Sequence, residues 1–279
     1  MVGLIRIALS KYVVSGQIRD CSDAVARLFL IDVMPHIGQA LPTPDVFRRN
    51  YSYTEAPTLV LEKYKGSLLV LFNSLTEIDK PRGLVSVAVW RSFLRSLHLF
   101  EGRLTERDAS LCFVWSVMAV ADGGSHRGQL KETTLPFEGF LEAICRLAFL
   151  VGLPTDQEIT ALDCSDAGTA WHIIRTSPLH TGLCEKILRS RGRSWGEAEL
   201  VLKANDEPAP DLPASASIGS DPAGEPWKRE PFDRLLEHLV TILLRKVEAS
   251  EASPDKPISL TQTEMRNWMN ANPLRGQGW

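Results

Sequence analysis

Two cysteines and two histidines, the side-chain types that bind zinc, lie within 21 residues of this 279-residue chain: Cys164, His172, His180 and Cys184. Their spacing argues against a zinc site. The group has no CxxC pair and no two histidines three to five residues apart, the arrangements that let one turn present two ligands. We therefore predict no metal ion and no other cofactor.

A short run of arginines is the second candidate for chemistry. Arg189, Arg191 and Arg193 form the concentrated basic stretch of the chain, and Trp195 follows them. Such a run could bind an acidic protein surface, a phosphate or RNA, with the tryptophan stacking on a base. It could equally be a solvated turn. The formal net charge of -3 gives no overall signal for nucleic acid, so protein is the expected partner and RNA the alternative.

Motifs that identify common enzyme classes are absent. The sequence contains no GxxxxGK[ST], no GxGxxG after a strand, no HExxH and no GxSxG, and its six histidines are scattered. We predict that the protein is not an enzyme. Five cysteines without dense spacing suit a reducing compartment better than a disulfide scaffold, and no apolar run is long enough to span a membrane.

The sequence between Thr58 and Gly152 has the apolar spacing of helices, and these helices would position any binding surface. They form two pairs of helices, and the run from Phe93 to Leu97 aligns with the run from Phe140 to Ile144 at an offset of 47 residues. A duplicated helix–loop–helix unit explains this similarity. The sequence therefore predicts an all-α fold.

At these residues the sequence resembles a degenerate tandem EF-hand pair of the kind found in ciliary, axonemal and cytoskeletal proteins. The best match is the L-x-F-x-x-F-L-x-A run from Leu135 to Ala143. Numbered as EF-hand loops, position twelve is Gly139 in the second loop and Ser92 in the first, and Glu132 is the carboxylate at position five of the second loop. Calcium needs six to eight oxygen ligands, so the resemblance implies a pair that does not bind calcium.

The N-terminal region leaves two interpretations open. Residues 1–19 contain no acidic residue, and Arg6, Lys11 and Arg19 accompany an apolar face. This composition fits a mitochondrial transit peptide or a first helix packed on the core. A second helix is expected to begin at a cap formed by Ser22 and Asp23, and residues 38–53 are expected to be a loop.

The remainder of the chain is expected to extend the fold with further helices and a tethered amphipathic helix. The Ala-, Pro- and Ser-rich stretch before that helix reads as a linker. The predicted segments are an N-terminal helical segment (1–55), the EF-hand-like pair (56–152), a helical extension (153–204), a flexible linker (205–226), an amphipathic helix (227–250) and a tail with a short helix (251–279).

These features favour a non-catalytic structural or adaptor protein of a larger assembly. The resemblance points to an axonemal or microtubule-associated component of the cytoplasmic cytoskeleton, with tubulin or axonemal proteins as partners. The alternative is a mitochondrially imported RNA- or ribosome-associated subunit. The residues expected to bind partners are Trp90, Phe93, Phe137, Phe140, Arg189, Arg191, Arg193, Leu235, Leu239, Ile242 and Leu243.

The amphipathic helix has two expected docking modes. Its apolar face could lie on the paired helices of its own chain or in a groove of another chain, and docking on its own chain is slightly favoured. Deletion of residues 226–279 is expected to weaken assembly while leaving the paired helices folded.

Overall fold

The structure is a computed structural model that describes residues 2–35, 44–78, 83–118, 124–195, 197–198, 230–248 and 258–274. Its two compact units are Met1–Thr43 and Pro44–Trp279. The described residues are mostly helical and include one pair of two-residue strands, which confirms the all-α prediction. No helix in these ranges combines the length and the apolar character needed to cross a membrane.

The first unit contains two helices, here called the N-terminal hairpin (residues 2–35). They are α1 (Val2–Ala8), continued by a π-helical segment (Leu9–Val13), and α2 (Cys21–Arg27), continued in the same way (Leu28–Val33). Asp20 caps α2, since its carboxylate accepts bonds from the backbone N–H groups of Ser22 and Asp23 at 2.7 and 3.1 Å. The N-cap is therefore Asp20 and not the predicted Ser22 and Asp23, because the Asp20 carboxylate accepts from the backbone N–H groups of both.

The second unit, here called the main body, contains the remaining elements. They are α3 (Pro44–Phe47) with a π-helical continuation (Arg48–Ser52), α4 (Glu55–Thr76), β1 (Val85–Ser86), α5 (Val87–Ser96), a 3₁₀ turn (Leu99–Glu101), α6 (Glu106–Trp115), α7 (His126–Thr133), β2 (Thr134–Leu135), α8 (Phe137–Leu150), α9 (Asp156–Ala161), α10 (Ala167–Thr176), a 3₁₀ turn (Pro178–His180), α11 (Thr181–Lys186) with a π-helical continuation (Ile187–Arg191), α12 (Phe232–Val247) and α13 (Gln262–Ala271).

Capping boxes begin three of these helices, each at a threonine that the sequence follows three residues later with an acidic residue. In each box the threonine hydroxyl accepts a bond from the N–H group three residues later, and the acidic side chain returns to the threonine N–H. This exchange satisfies two donors that the first turn of a helix would otherwise leave unpaired. The pairs are Thr105 with Asp108, Thr155 with Glu158, and Thr261 with Glu264.

The predicted loop over residues 38–53 is wrong for its described part, which is helical from Pro44 to Ser52. Phe47 and Tyr51 lie one turn apart, and their rings stack at 5.3 Å. Both rings also contact Phe149 and Phe232 edge to face. Burial of these aromatic rings favours a helix over the loop suggested by the neighbouring prolines.

Two short strands connect the predicted duplicated units. β1 follows α4 and leads into α5, while β2 follows α7 and leads into α8. The strands pair antiparallel, with Val85 opposite Leu135. Since α5 begins at Val87 and α8 at Phe137, the units correspond at an offset of 50 residues instead of 47. A shift of three retains most of a helical apolar pattern, which explains the sequence misalignment.

Candidate functional site

A groove between three helices of the main body is occupied by a fourth helix. α4, α8 and α10, here called the helix groove, all contact α12. Seven aliphatic side chains of α12 are at most 2% exposed there, and each contributes about 1.5–3 kcal/mol by leaving water. They are Leu236, Leu239, Val240, Ile242, Leu243, Leu244 and Val247. The groove therefore binds an amphipathic helix, and that helix comes from the same chain.

Ion pairs fix one end of α12 beside the groove. Asp156, the first residue of α9, accepts a bond from Arg234 Nε at 3.0 Å and lies 3.0 Å from His238 Nε2. The bond from Arg234 and the nearby His238 lower the pKa of Asp156 to about 2. On the other side, Lys63 Nζ of α4 donates to Glu237 at 2.6 Å. These contacts set the register of α12 along the groove.

The opposite end of α12 is fixed in a similar way. Arg245 donates to Asp166 at 2.9 and 3.1 Å, and Asp166 caps the start of α10. Lys246 donates to the backbone oxygen of Leu97 at the end of α5. Burial lowers the pKa of Lys246 to about 8. A cation at the C-terminus of α5 is electrostatically favourable, so Lys246 has a structural role at this point.

A glycine permits the close crossing of α10 and α12. A Cβ atom on Gly168 would lie 2.6 Å from both the Thr241 backbone oxygen and Arg245 Cγ. Gly66, in the middle of α4, has no atom within 4 Å of the corresponding position. Replacing each glycine with alanine therefore compares the same added Cβ atom in a crowded site and in an open one.

Gly168→Ala is expected to lower the free energy of unfolding by about 1–3 kcal/mol, because α12 must move away from α10. Gly66→Ala is the matched control and should raise it by about 0.5–1 kcal/mol through helix propensity alone. Urea denaturation followed by circular dichroism measures both changes. Equal effects of the two substitutions would contradict this account of the crossing.

The start of α8 is too crowded for a metal-binding side chain. A Cβ atom on Gly139 would lie 2.9 Å from the Ser116 backbone oxygen and 3.1 Å from a methyl group of Leu135. Among the described residues, no three or more His, Cys, Asp or Glu side chains are grouped so that they could hold a metal ion.

The aromatic residues predicted to anchor partners lie mainly in the core. Trp90, Phe93 and Phe140 are completely buried, and Phe137 is half-buried. Trp90 meets Phe140 edge to face at 6.0 Å, and its indole N–H donates to the Ala109 backbone oxygen at 2.9 Å. Their surfaces are used within the chain, so an anchor role would require the core to open.

The predicted anchors on α12 lie at the groove. Leu239, Ile242 and Leu243 are buried, while Leu235 is half-buried. The structure thus brings these four residues together on one face, as their spacing predicts. That face contacts the main body of the same chain.

The three arginines do not form one basic surface. Arg191 binds Glu158 through two bonds of 2.5 Å, and Arg193 is half-buried with its guanidinium 5.7 Å from the Phe149 ring centre. The Arg189 side chain is 78% exposed. Trp195 is buried against Trp115, with ring centres 4.7 Å apart, so its ring is not presented to a nucleic acid base.

A buried charge cluster on α8 was missed from the sequence. Glu142 accepts bonds from Arg48 at 2.9 Å, Arg146 at 2.7 Å and Tyr53 at 3.1 Å, and its side chain is fully buried. Burial lowers the pKa of Arg146. The available signal was Glu142 and Arg146 at i and i+4 within a helix whose only other charged residue is Glu138.

Comparisons with protein-family models, curated proteins and solved structures found no match to this chain. Function must therefore be inferred from the geometry of the helix groove, the region around Gly139 and the remaining surface.

Proposed function

We propose that this chain is a non-catalytic adaptor, a fixed component of a larger protein assembly whose fold does not depend on calcium. The occupied helix groove is the observation that carries the proposal. A sensor that captures target helices needs an open groove, whereas α12 fills this one with seven buried aliphatic side chains. Partner proteins then bind the outer surface of a rigid body.

The EF-hand-like reading of the paired units is part of this proposal. The offset of 50 residues moves position twelve of the first loop from Ser92 to Val89, while Gly139 keeps that position in the second. Neither residue has an oxygen-bearing side chain. The limited space around Gly139 also supports a loop that has lost its carboxylate ligand.

Calcium is expected to leave the protein unchanged. Calorimetric titration should show no binding in the micromolar range, because neither position twelve supplies the bidentate carboxylate of a calcium loop. The melting temperature in calcium should equal that in a calcium chelator. A chelator-sensitive rise in melting temperature would contradict the proposed loss of ligands, and calmodulin serves as the positive control.

The identity of the assembly is inferred from the resemblance alone, which points to an axoneme or another microtubule structure. Fractionation of tagged cells tests this assignment. Full-length protein should remain in the detergent-extracted cytoskeletal pellet at high salt, as expected for a built-in component. An organellar pool with a shortened N-terminus would instead support the import alternative.

A further inference from the structure

The N-terminal hairpin exposes an unusual amount of apolar side chain. Seven of its large apolar side chains are between 38% and 82% exposed, a high number for the 34 described residues from 2 to 35. Large apolar side chains that are exposed in such number often belong to interaction surfaces. The residues are Leu4 and Ile7 on the first helix with Val14 directly after it, and Phe29, Leu30 and Ile31 on the second helix with Met34 directly after it.

The interior of the hairpin is small compared with that exposed surface. Its buried apolar residues are Ala8, Tyr12, Ala24 and Leu28. Two helices of this length are marginal in water by themselves, and a core of four residues cannot offset the entropy of ordering both. The hairpin therefore needs another layer of apolar contacts to be stable.

We propose that the N-terminal hairpin is a self-association surface and that its partner is the same hairpin of a second copy of this chain. An interface of standard size buries about 800 Å² on each partner, and the seven exposed side chains are the apolar surface that the hairpin can contribute to it. Pairing two hairpins would give four helices around a shared core, the simplest layered arrangement for such elements.

The charge distribution favours the same partner. The charged residues of the first helix and the following turn are basic, namely Arg6, Lys11 and Arg19. The second half holds Asp20, Asp23 and Asp32 and one basic residue, Arg27, so it is acidic on balance. Within one copy, Lys11 pairs with Asp32 at 2.7 Å. A symmetric dimer that places the first helix of one copy beside the second helix of the other brings opposite charges together.

A membrane surface fits this charge pattern less well. Residues 1–35 contain four basic side chains, the fourth being Arg27, and three aspartates. The hairpin therefore lacks the strong positive charge that favours binding to anionic lipids. Self-association is independent of the adaptor role proposed above, since a calcium-independent adaptor could act as a monomer or a dimer.

The test uses the full-length protein in analytical ultracentrifugation from roughly 1 to 100 µM. We expect a reversible dimer in the wild type. Ile7→Asp combined with Leu30→Asp should weaken the dimer by roughly 100-fold, since each change places a carboxylate in an apolar contact. The matched control, Leu59→Asp with Leu69→Asp, alters two exposed leucines of the main body and should leave the dimer intact.

Amide hydrogen exchange of the wild type tests the surface without a variant. Protection within residues 2–35 should rise with protein concentration while protection of the main body stays constant. Three results would overturn the proposal: a monomer at the highest concentration, hairpin protection that does not depend on concentration, or equal dissociation by the two double variants. The second result would mean that the hairpin is covered by its own chain or remains uncovered.

Discussion

A chain that ends before Pro231 is expected to lose the fold of its main body. The truncation removes α12 and therefore seven buried aliphatic side chains from the helix groove. At about 1.5–3 kcal/mol each, their contribution matches or exceeds the roughly 5–15 kcal/mol that stabilises a typical domain. Circular dichroism should show little cooperative thermal unfolding, and the truncated protein should aggregate through the exposed groove.

A cut chain provides the control for this truncation. A protease site inserted between residues 205 and 226 breaks the connection to α12 but retains every contact in the groove. After cleavage, the two fragments should remain together in size-exclusion chromatography, with a melting transition close to that of the uncut protein. A truncated protein that unfolds cooperatively at the wild-type temperature would show that α12 is dispensable.

Replacing Glu142 should cause the largest loss of stability from a single substitution. Glu142→Leu removes the carboxylate that faces Arg146 in the core and also binds Arg48. Because Arg146 is 1% exposed, its charge cannot return to water without local unfolding. We expect the free energy of unfolding to fall by about 3–5 kcal/mol, measured by urea denaturation.

The double variant Glu142→Leu with Arg146→Met separates charge from packing. It removes both fully buried charges, and Arg48, which is 20% exposed, can turn toward solvent. Well-packed apolar residues often replace a buried ion pair without loss, so the double variant should recover most of the stability. If it is as unstable as Glu142→Leu alone, the cost arises from the shape of the site and not from an uncompensated charge.

Local signals in the sequence predicted the helical parts of the fold well. Thr105, Thr155 and Thr261 each begin a helix with an acidic residue three positions later, and all three capping boxes are present. The spacing of Leu239, Ile242 and Leu243 likewise predicted the buried face of α12. Caps and apolar faces depend on neighbouring residues, so one sequence is sufficient to find them.

Long-range contacts could not be predicted in this way. The strands β1 and β2 have two residues each, too few for any alternating pattern. Arg48 and Glu142 lie 94 positions apart, and nothing near either residue indicates the other. For the same reason, the expectation that the paired helices stay folded without residues 226–279 gives way to the opposite prediction, since periodicity shows that α12 has an apolar face but not which surface covers it.

α12 follows α4 and α8, the helices that it covers, at a long distance in the chain, and this separation has a consequence for protein synthesis. About 100 residues separate the end of α8 at Leu150 from the end of α12 at Val247. At about 5–20 residues per second, translation leaves α4 and α8 without their covering helix for roughly 5–20 s. Chaperones that bind apolar surface therefore have a defined interval in which to act on the nascent chain, and the main body completes its fold only after α12 has been synthesised.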